Sequence, residues 1–180
     1  MKVVGGLEYL HGRGYVVGDL NPSNIIVSND LSTVKICDLD NVIKIGDPLK
    51  PRKRYDEITS IAGKRTMPPE VIIDEKKIES GNINYKVDET LDIYALGTCL
   101  LYMLTGKEGM KWNVFDHVNE REYEEGLQRR IQEIKTDDKW LESQLSDNIL
   151  VALLDFDKKK RIVTVKDLRA ELDILEKNFK

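Results

Sequence analysis

Cysteine is scarce: the chain carries two in 180 residues, Cys37 and Cys99, each inside an apolar run. That excludes a disulfide framework and predicts reduced core thiols of a cytosolic protein. Positive charge is not in surplus either. Lys and Arg number 28 against 32 Asp and Glu, a formal net charge of -4, so no basic excess exists to neutralise a nucleic acid. Long hydrophobic runs are missing: the strongest stretch without a charge, Ile93 to Gly106, is too short to span a bilayer. No signal-peptide pattern opens the chain. Internal repeats and low-complexity linkers are absent as well. The expectation is a soluble cytoplasmic protein without a membrane segment or nucleic-acid partner. With 41% hydrophobic and 33% charged residues it is globular rather than disordered, and its length fits one domain, 1–180.

What is present reads as one small hairpin followed by a helical body. Val3 to Leu10 has Val4, Leu7 and Leu10 on one face, and Gly12 and Gly14 are stop signals behind it. That helix starts at the first Met without a cap, as though the chain began inside an element. Ile25-Ile26-Val27 and Val34-Lys35-Ile36-Cys37 read as strands around a polar turn at Ser28-Asn29-Asp30, and Val42 to Ile45 as a further short strand. Asp47 to Met67 is polar and reads as a long exposed loop, closed by Pro68-Pro69 before a short helix. Asp88 to Leu104 is apolar almost all round, which predicts a buried central helix. Glu120 to Lys135 reads as a charged surface helix, Ser146 to Leu154 as a short one with Ser146 as N-cap. Val165, Leu168, Leu172 and Leu175 form the stripe of a last helix capped by Thr164.

The chemistry concentrates in Gly18 to Asp40. Asp19 and Asn24 precede the first strand of the hairpin, and Asp38 and Asp40 follow the second. A hairpin brings both clusters to one end, where Asp19, Asn24 and Asp38 can converge. Two carboxylates and an amide oxygen are hard ligands suited to Mg²⁺ and phosphate chemistry. Taken singly, Asp and Asn are ordinary loop residues. Asp40 reads as a turn residue, His11 as packing at a helix end, His117 as unremarkable, and Lys158 to Lys160 as a solvated loop.

The order of motifs resembles the larger, C-terminal lobe of a protein kinase. Gly18-Asp19-Leu20-Asn21-Pro22-Ser23-Asn24 is similar to H-R-D-L-x-x-x-N, Asp38-Leu39-Asp40 to D-F-G, and Pro68-Pro69-Glu70 to A-P-E. Asp92-Ile93-Tyr94-Ala95-Leu96-Gly97 and Asp157-Lys158-Lys159-Lys160-Arg161 are similar to later family motifs, and Leu10-His11-Gly12-Arg13-Gly14 to the lead-in of the catalytic loop. The resemblance implies a mainly α fold with a small β-hairpin, a helical body around a buried central helix. It implies ATP-dependent phosphorylation of protein Ser/Thr, with Asp19 as catalytic base and Asn24 and Asp38 holding Mg²⁺ and hence ATP. It makes Glu70, Asp92 and Arg161 structural: Glu70 paired with Arg161, Asp92 capping the catalytic-loop backbone.

The departures from the family pattern are specific. Gly18 stands for the Arg of H-R-D, so no Arg waits there to read a phosphate on the 47–67 loop, where Thr59, Ser60 and Thr66 lie. Asn21 replaces a Lys, Gly63 stands near a loop Thr, and Leu39 and Asp40 replace Phe and Gly. The Gly-rich strand pair, the V-A-I-K Lys and the Glu-bearing helix of an N-lobe have no counterpart here. The expectation is therefore a C-lobe fragment or degenerate kinase with weak or no ATP binding alone. Two alternatives stand beside it: a pseudokinase or interaction module that binds partner proteins, and a small-molecule kinase of the aminoglycoside or choline type, whose catalytic loop is also similar.

Overall fold

The computed structural model describes residues 2–49, 66–71, 85–105, 120–135 and 144–178. Helix α1 (Lys2–His11) comes first. Its buried Val4, Leu7 and His11 lie on one face, as the helical period requires. Gly14, at φ 78°, ends the turn behind it, a conformation that costs glycine little. Strand β1 (Tyr15–Val16) follows, then β2 (Ile25–Val27), β3 (Val34–Ile36) and β4 (Ile43–Lys44).

These strands form two separate antiparallel ribbons. β2 pairs with β3, Ile25 opposite Ile36 and Val27 opposite Val34, which is the hairpin expected from sequence. β4 pairs with β1, Val16 opposite Ile43, and β1 has no counterpart among the sequence expectations. A strand of two residues has no periodicity to read. Its partner across the sheet creates it.

Helix α2 (Thr90–Thr105) is the buried axis. Ile93, Tyr94, Ala95, Cys99 and Leu101 on it are all buried, each large apolar side chain contributing about 1.5–3 kcal/mol. Asp88 begins it, accepting from the Thr90 amide at 3.1 Å. Helix α4 (Gln144–Leu154) packs against α2 at Gly97, where a Cβ would lie 2.8 Å from Leu154 Cδ2 and 2.9 Å from Leu153 Cβ. Helices α3 (Glu120–Lys135) and α5 (Val165–Asn178) complete the core through Tyr123, Leu127, Ile131, Val165 and Leu168. Thr164 caps α5: its Oγ1 accepts from the Asp167 amide at 3.1 Å and donates to Asp167 Oδ2 at 2.7 Å.

Two sequence expectations are corrected. Ser146 is not the N-cap of α4, because the helix begins at Gln144; Gln and Leu are good helix formers and carry it back. Cys99 is a core thiol, whereas Cys37 is only half-buried, since β3 lies in a ribbon open to solvent on one side. Most of the 47–67 loop, with Thr59, Ser60 and Gly63, and His117 lie outside the described residues. The fold class itself, mainly helical around a buried central helix with one small hairpin, is the one expected.

Candidate active site

The β2–β3 register sets the geometry. Beyond the Ile25–Ile36 pair, the Cys37 amide donates to the Asn24 carbonyl at 2.9 Å. Asn24 and Asp38 therefore leave the hairpin at the same end. Asn24 closes a 3₁₀ turn, Pro22–Asn24, whose N-cap Asn21 accepts from the Ser23 amide at 3.0 Å. Pro22 suits the first position of that turn, where its missing N–H is not needed. The Asn24 Nδ2 donates to the Asp19 carbonyl at 2.9 Å, and its Oδ1 accepts no hydrogen bond among the described residues.

Asp38 sits at φ 55° and ψ 64°, and its carboxylate makes no hydrogen bond among the described residues. A left-handed Asp costs about 1–3 kcal/mol and persists where surrounding structure imposes it. The exposed Asp40 lies in the 3₁₀ turn Leu39–Asn41 that follows, a turn residue as expected. Asp19 is half-buried between the two loops. Its Oδ2 accepts from Asn41 Nδ2 at 3.0 Å and its Oδ1 from Asn21 Nδ2 at 3.3 Å. The loops thus meet at one carboxylate, with an open amide oxygen and an open carboxylate beside it.

A buried polar frame holds this loop from below. Asp92, 0% exposed, accepts from the amides of Val17 at 2.7 Å and Gly18 at 3.0 Å. His11 Nε2 donates to the same carboxylate at 2.8 Å, and His11 Nδ1 donates to Glu89 Oε2 at 3.2 Å. Glu89 Oε2 also accepts from the Val165 amide at 3.1 Å. Carboxylates only accept, so this geometry favours the imidazolium, in which both ring nitrogens donate. Burial works against that charge, but Asp92 and Glu89 outweigh it and raise the His11 pKa above its ordinary value. His11 is thus a junction of α1, α2 and α5 rather than a residue merely packing at a helix end.

A raised folded-state value makes the His11 contribution complete below the unfolded value of about 6.5, and lost as pH rises through the folded one. Deprotonation removes one charge-assisted hydrogen bond, worth about 1.5–3 kcal/mol. Urea unfolding should show the wild type weakening as pH rises above about 6.5 and His11→Gln lacking that component. Parallel pH profiles for the two would refute it.

Arg161 Nη2 donates to Glu70 Oε2, the pairing expected of an A-P-E-type Glu. The Arg161 side chain is fully buried, with its guanidinium carbon 5.3 Å from the centre of the Tyr94 ring. Its Nε and Nη1 and the Glu70 Oε1 are buried without hydrogen-bond partners among the described residues.

The protein kinase domain family model matches residues 1–171. This chain belongs to the protein kinase family. MAP kinase-interacting serine/threonine-protein kinase 2 of Xenopus laevis is 35% identical to it over 104 residues, 56% of this chain and 21% of that protein. Rhodopsin kinase GRK1 of Homo sapiens is 29% identical over 163 residues, 89% of this chain and 25% of that one. The kinase chain therefore spans a quarter or less of these relatives' length. Among solved structures, the Cydia pomonella granulovirus kinase PK-1 shares the fold, with a TM-score of 0.61 at 15% identity, covering 92% of this chain and 53% of the viral one.

For the family's metal and nucleotide, the donor set fits. Among the described residues no three His, Cys, Asp or Glu side chains gather to cage an ion. Mg²⁺ bound with a nucleotide needs no such cage, because phosphates and waters supply most ligands. The open oxygens of Asn24 and Asp38 are the hard donors that remain. Three residues of this candidate site are not singled out as such by the sequence: His11, Glu89 and Asn41. The His-Gly at the end of α1 was visible as part of a lead-in motif, but nothing local marks Glu89 or Asn41. Among the described residues no helix is long and apolar enough to cross a membrane.

Proposed function

We propose that this chain is the C-terminal lobe of a protein kinase catalytic domain and transfers the γ-phosphoryl group of ATP to Ser or Thr of protein substrates in the cytoplasm. The observation that carries the reading is the junction at Asp19: Asn21 and Asn41 clamp its carboxylate while Asn24 Oδ1 and the Asp38 carboxylate stay open beside it. Asp19 orients the substrate hydroxyl and accepts its proton. Asn24 and Asp38 hold Mg²⁺ and through it the nucleotide. The metal, when bound, neutralises phosphate charge, and catalysis rests on positioning more than on covalent chemistry. The Glu70–Arg161 pair supports the protein-kinase class over small-molecule phosphotransferases.

A nucleotide held only from one side binds weakly, so full activity requires a second, smaller lobe over the hairpin. Exposed Ile26, Val27 and Leu39, at 57%, 46% and 46%, suit such a cover. The same apolar surface favours a second reading, a pseudokinase that binds a partner protein there without catalysis.

The 180-residue chain, given Mg²⁺, γ-labelled ATP and a Ser/Thr peptide library, is expected to transfer phosphate slowly. Asp19→Asn should lower transfer by about 100-fold or more, and chelating the Mg²⁺ should abolish it. Transfer no faster than that of Asp19→Asn would leave the interaction module as the better reading.

A further inference from the structure

The Asp19 carboxylate is held by two side-chain amides of different origin. Asn21, two residues on, reaches Oδ1 at 3.3 Å and the Asp19 carbonyl at 3.1 Å. Such a contact belongs to the loop itself and forms wherever the loop forms. Asn41 reaches Oδ2 at 3.0 Å from 22 residues further along. It is the last residue of the turn that starts behind Asp38. One hydrogen bond therefore joins the carboxylate to the segment carrying the open Asp38.

The approach of Asn41 has a steric condition. Gly18 precedes Asp19 at φ 74°, and a Cβ there would lie 2.7 Å from the Asn41 carbonyl oxygen and 3.1 Å from Ile43 Cδ1. The Asn41 carbonyl belongs to the backbone just before β4 and cannot swing aside like a long side chain. The bare Gly18 backbone lets residue 41 close on the loop.

We propose that Asn41 is a positioning residue for Asp19, admitted to that role by the missing side chain at Gly18. The two form a matched pair. Asn41 occupies Oδ2, Asn21 occupies Oδ1, and rotation of the carboxylate about its terminal bond is stopped. Both clamps are neutral, and among the described residues no Lys or Arg bonds to Asp19. The carboxylate is thus oriented without its charge being cancelled, which suits a group that must take a proton. Because the Asn41 amide hangs from the Asp38 turn, displacement of that turn also releases Asp19. As a catalytic statement this rests on the phosphotransfer reading; the lock itself does not.

The experiment has two readouts on the full chain. In ¹⁵N NMR the Asn41 side-chain NH₂ resonances should shift in Asp19→Ala, and also in Gly18→Ala, which removes no polar atom. Resonances unmoved in Asp19→Ala overturn the lock, and that variant decides alone if Gly18→Ala does not fold. For turnover, Asn41→Leu keeps the side-chain size and deletes the donor. It should lower kcat about 10- to 100-fold with KM for ATP unchanged. Unchanged kcat, or a rise in KM alone, overturns the positioning role. Shifted resonances in a wild-type chain without turnover uphold the lock and overturn the phosphotransfer reading instead.

Discussion

Asp92→Ala should cost about 3–5 kcal/mol of stability, the range for removing one partner of a buried ion pair. Three donors lose their acceptor together: the Val17 amide, the Gly18 amide and His11 Nε2. Asp92 is fully buried, so water cannot replace it without opening the core. The imidazolium of His11 would keep only Glu89, its more distant partner at 3.2 Å. Domains of this size hold about 5–15 kcal/mol in total, so the variant should sit near the edge of folding. Asp92→Asn should be intermediate, because its carboxamide keeps one acceptor and turns a donor toward another donor. Urea unfolding followed by far-UV circular dichroism measures both. A loss under about 1 kcal/mol for the Ala variant would mean that Asp92 does not hold the loop.

Glu70→Ala should have an effect of the same order, about 3–5 kcal/mol, by a different route. Arg161 is fully buried and cannot shed its proton, and Glu70 is its acceptor. Its Nε and Nη1 have no partner among the described residues, so none of those residues already stands in for Glu70. The stacking of its guanidinium over Tyr94 at 5.3 Å cannot replace a counter-charge. Removing both charges is a different matter. Glu70→Leu with Arg161→Met fills similar volume, leaves no buried ion, and should recover most of the loss. A double-mutant cycle in thermal or urea unfolding checks this. A double variant as unstable as Glu70→Ala would show that packing around the pair, and not the orphaned charge, sets the cost.

The readable parts of the chain were those with a local signal. The apolar sides of α1 and α2, the Thr164–Asp167 cap and the hairpin around Ser28 follow from period and turn chemistry within a few residues. Asp19, Asn24 and Asp38 were legible because their spacing is itself local, and a hairpin register brings the last two together. Ser146 misled because capping residues also fit a first helical turn. Gly18 read as a lost Arg; in three dimensions it is the space into which the backbone of Asn41 fits.

By itself the sequence determined the helical body, the buried axis from Thr90 to Thr105 and the loop bearing Asp19 and Asn24, since each depends on neighbours within a turn or a strand. Tertiary structure decided the pairing of β1 with β4, the meeting of Asn41 with Asp19, and the junction of His11 with residues 78 and 81 positions away. These contacts have no periodic trace in sequence. They exist because a buried donor must find an acceptor somewhere in the fold, and the fold chooses which.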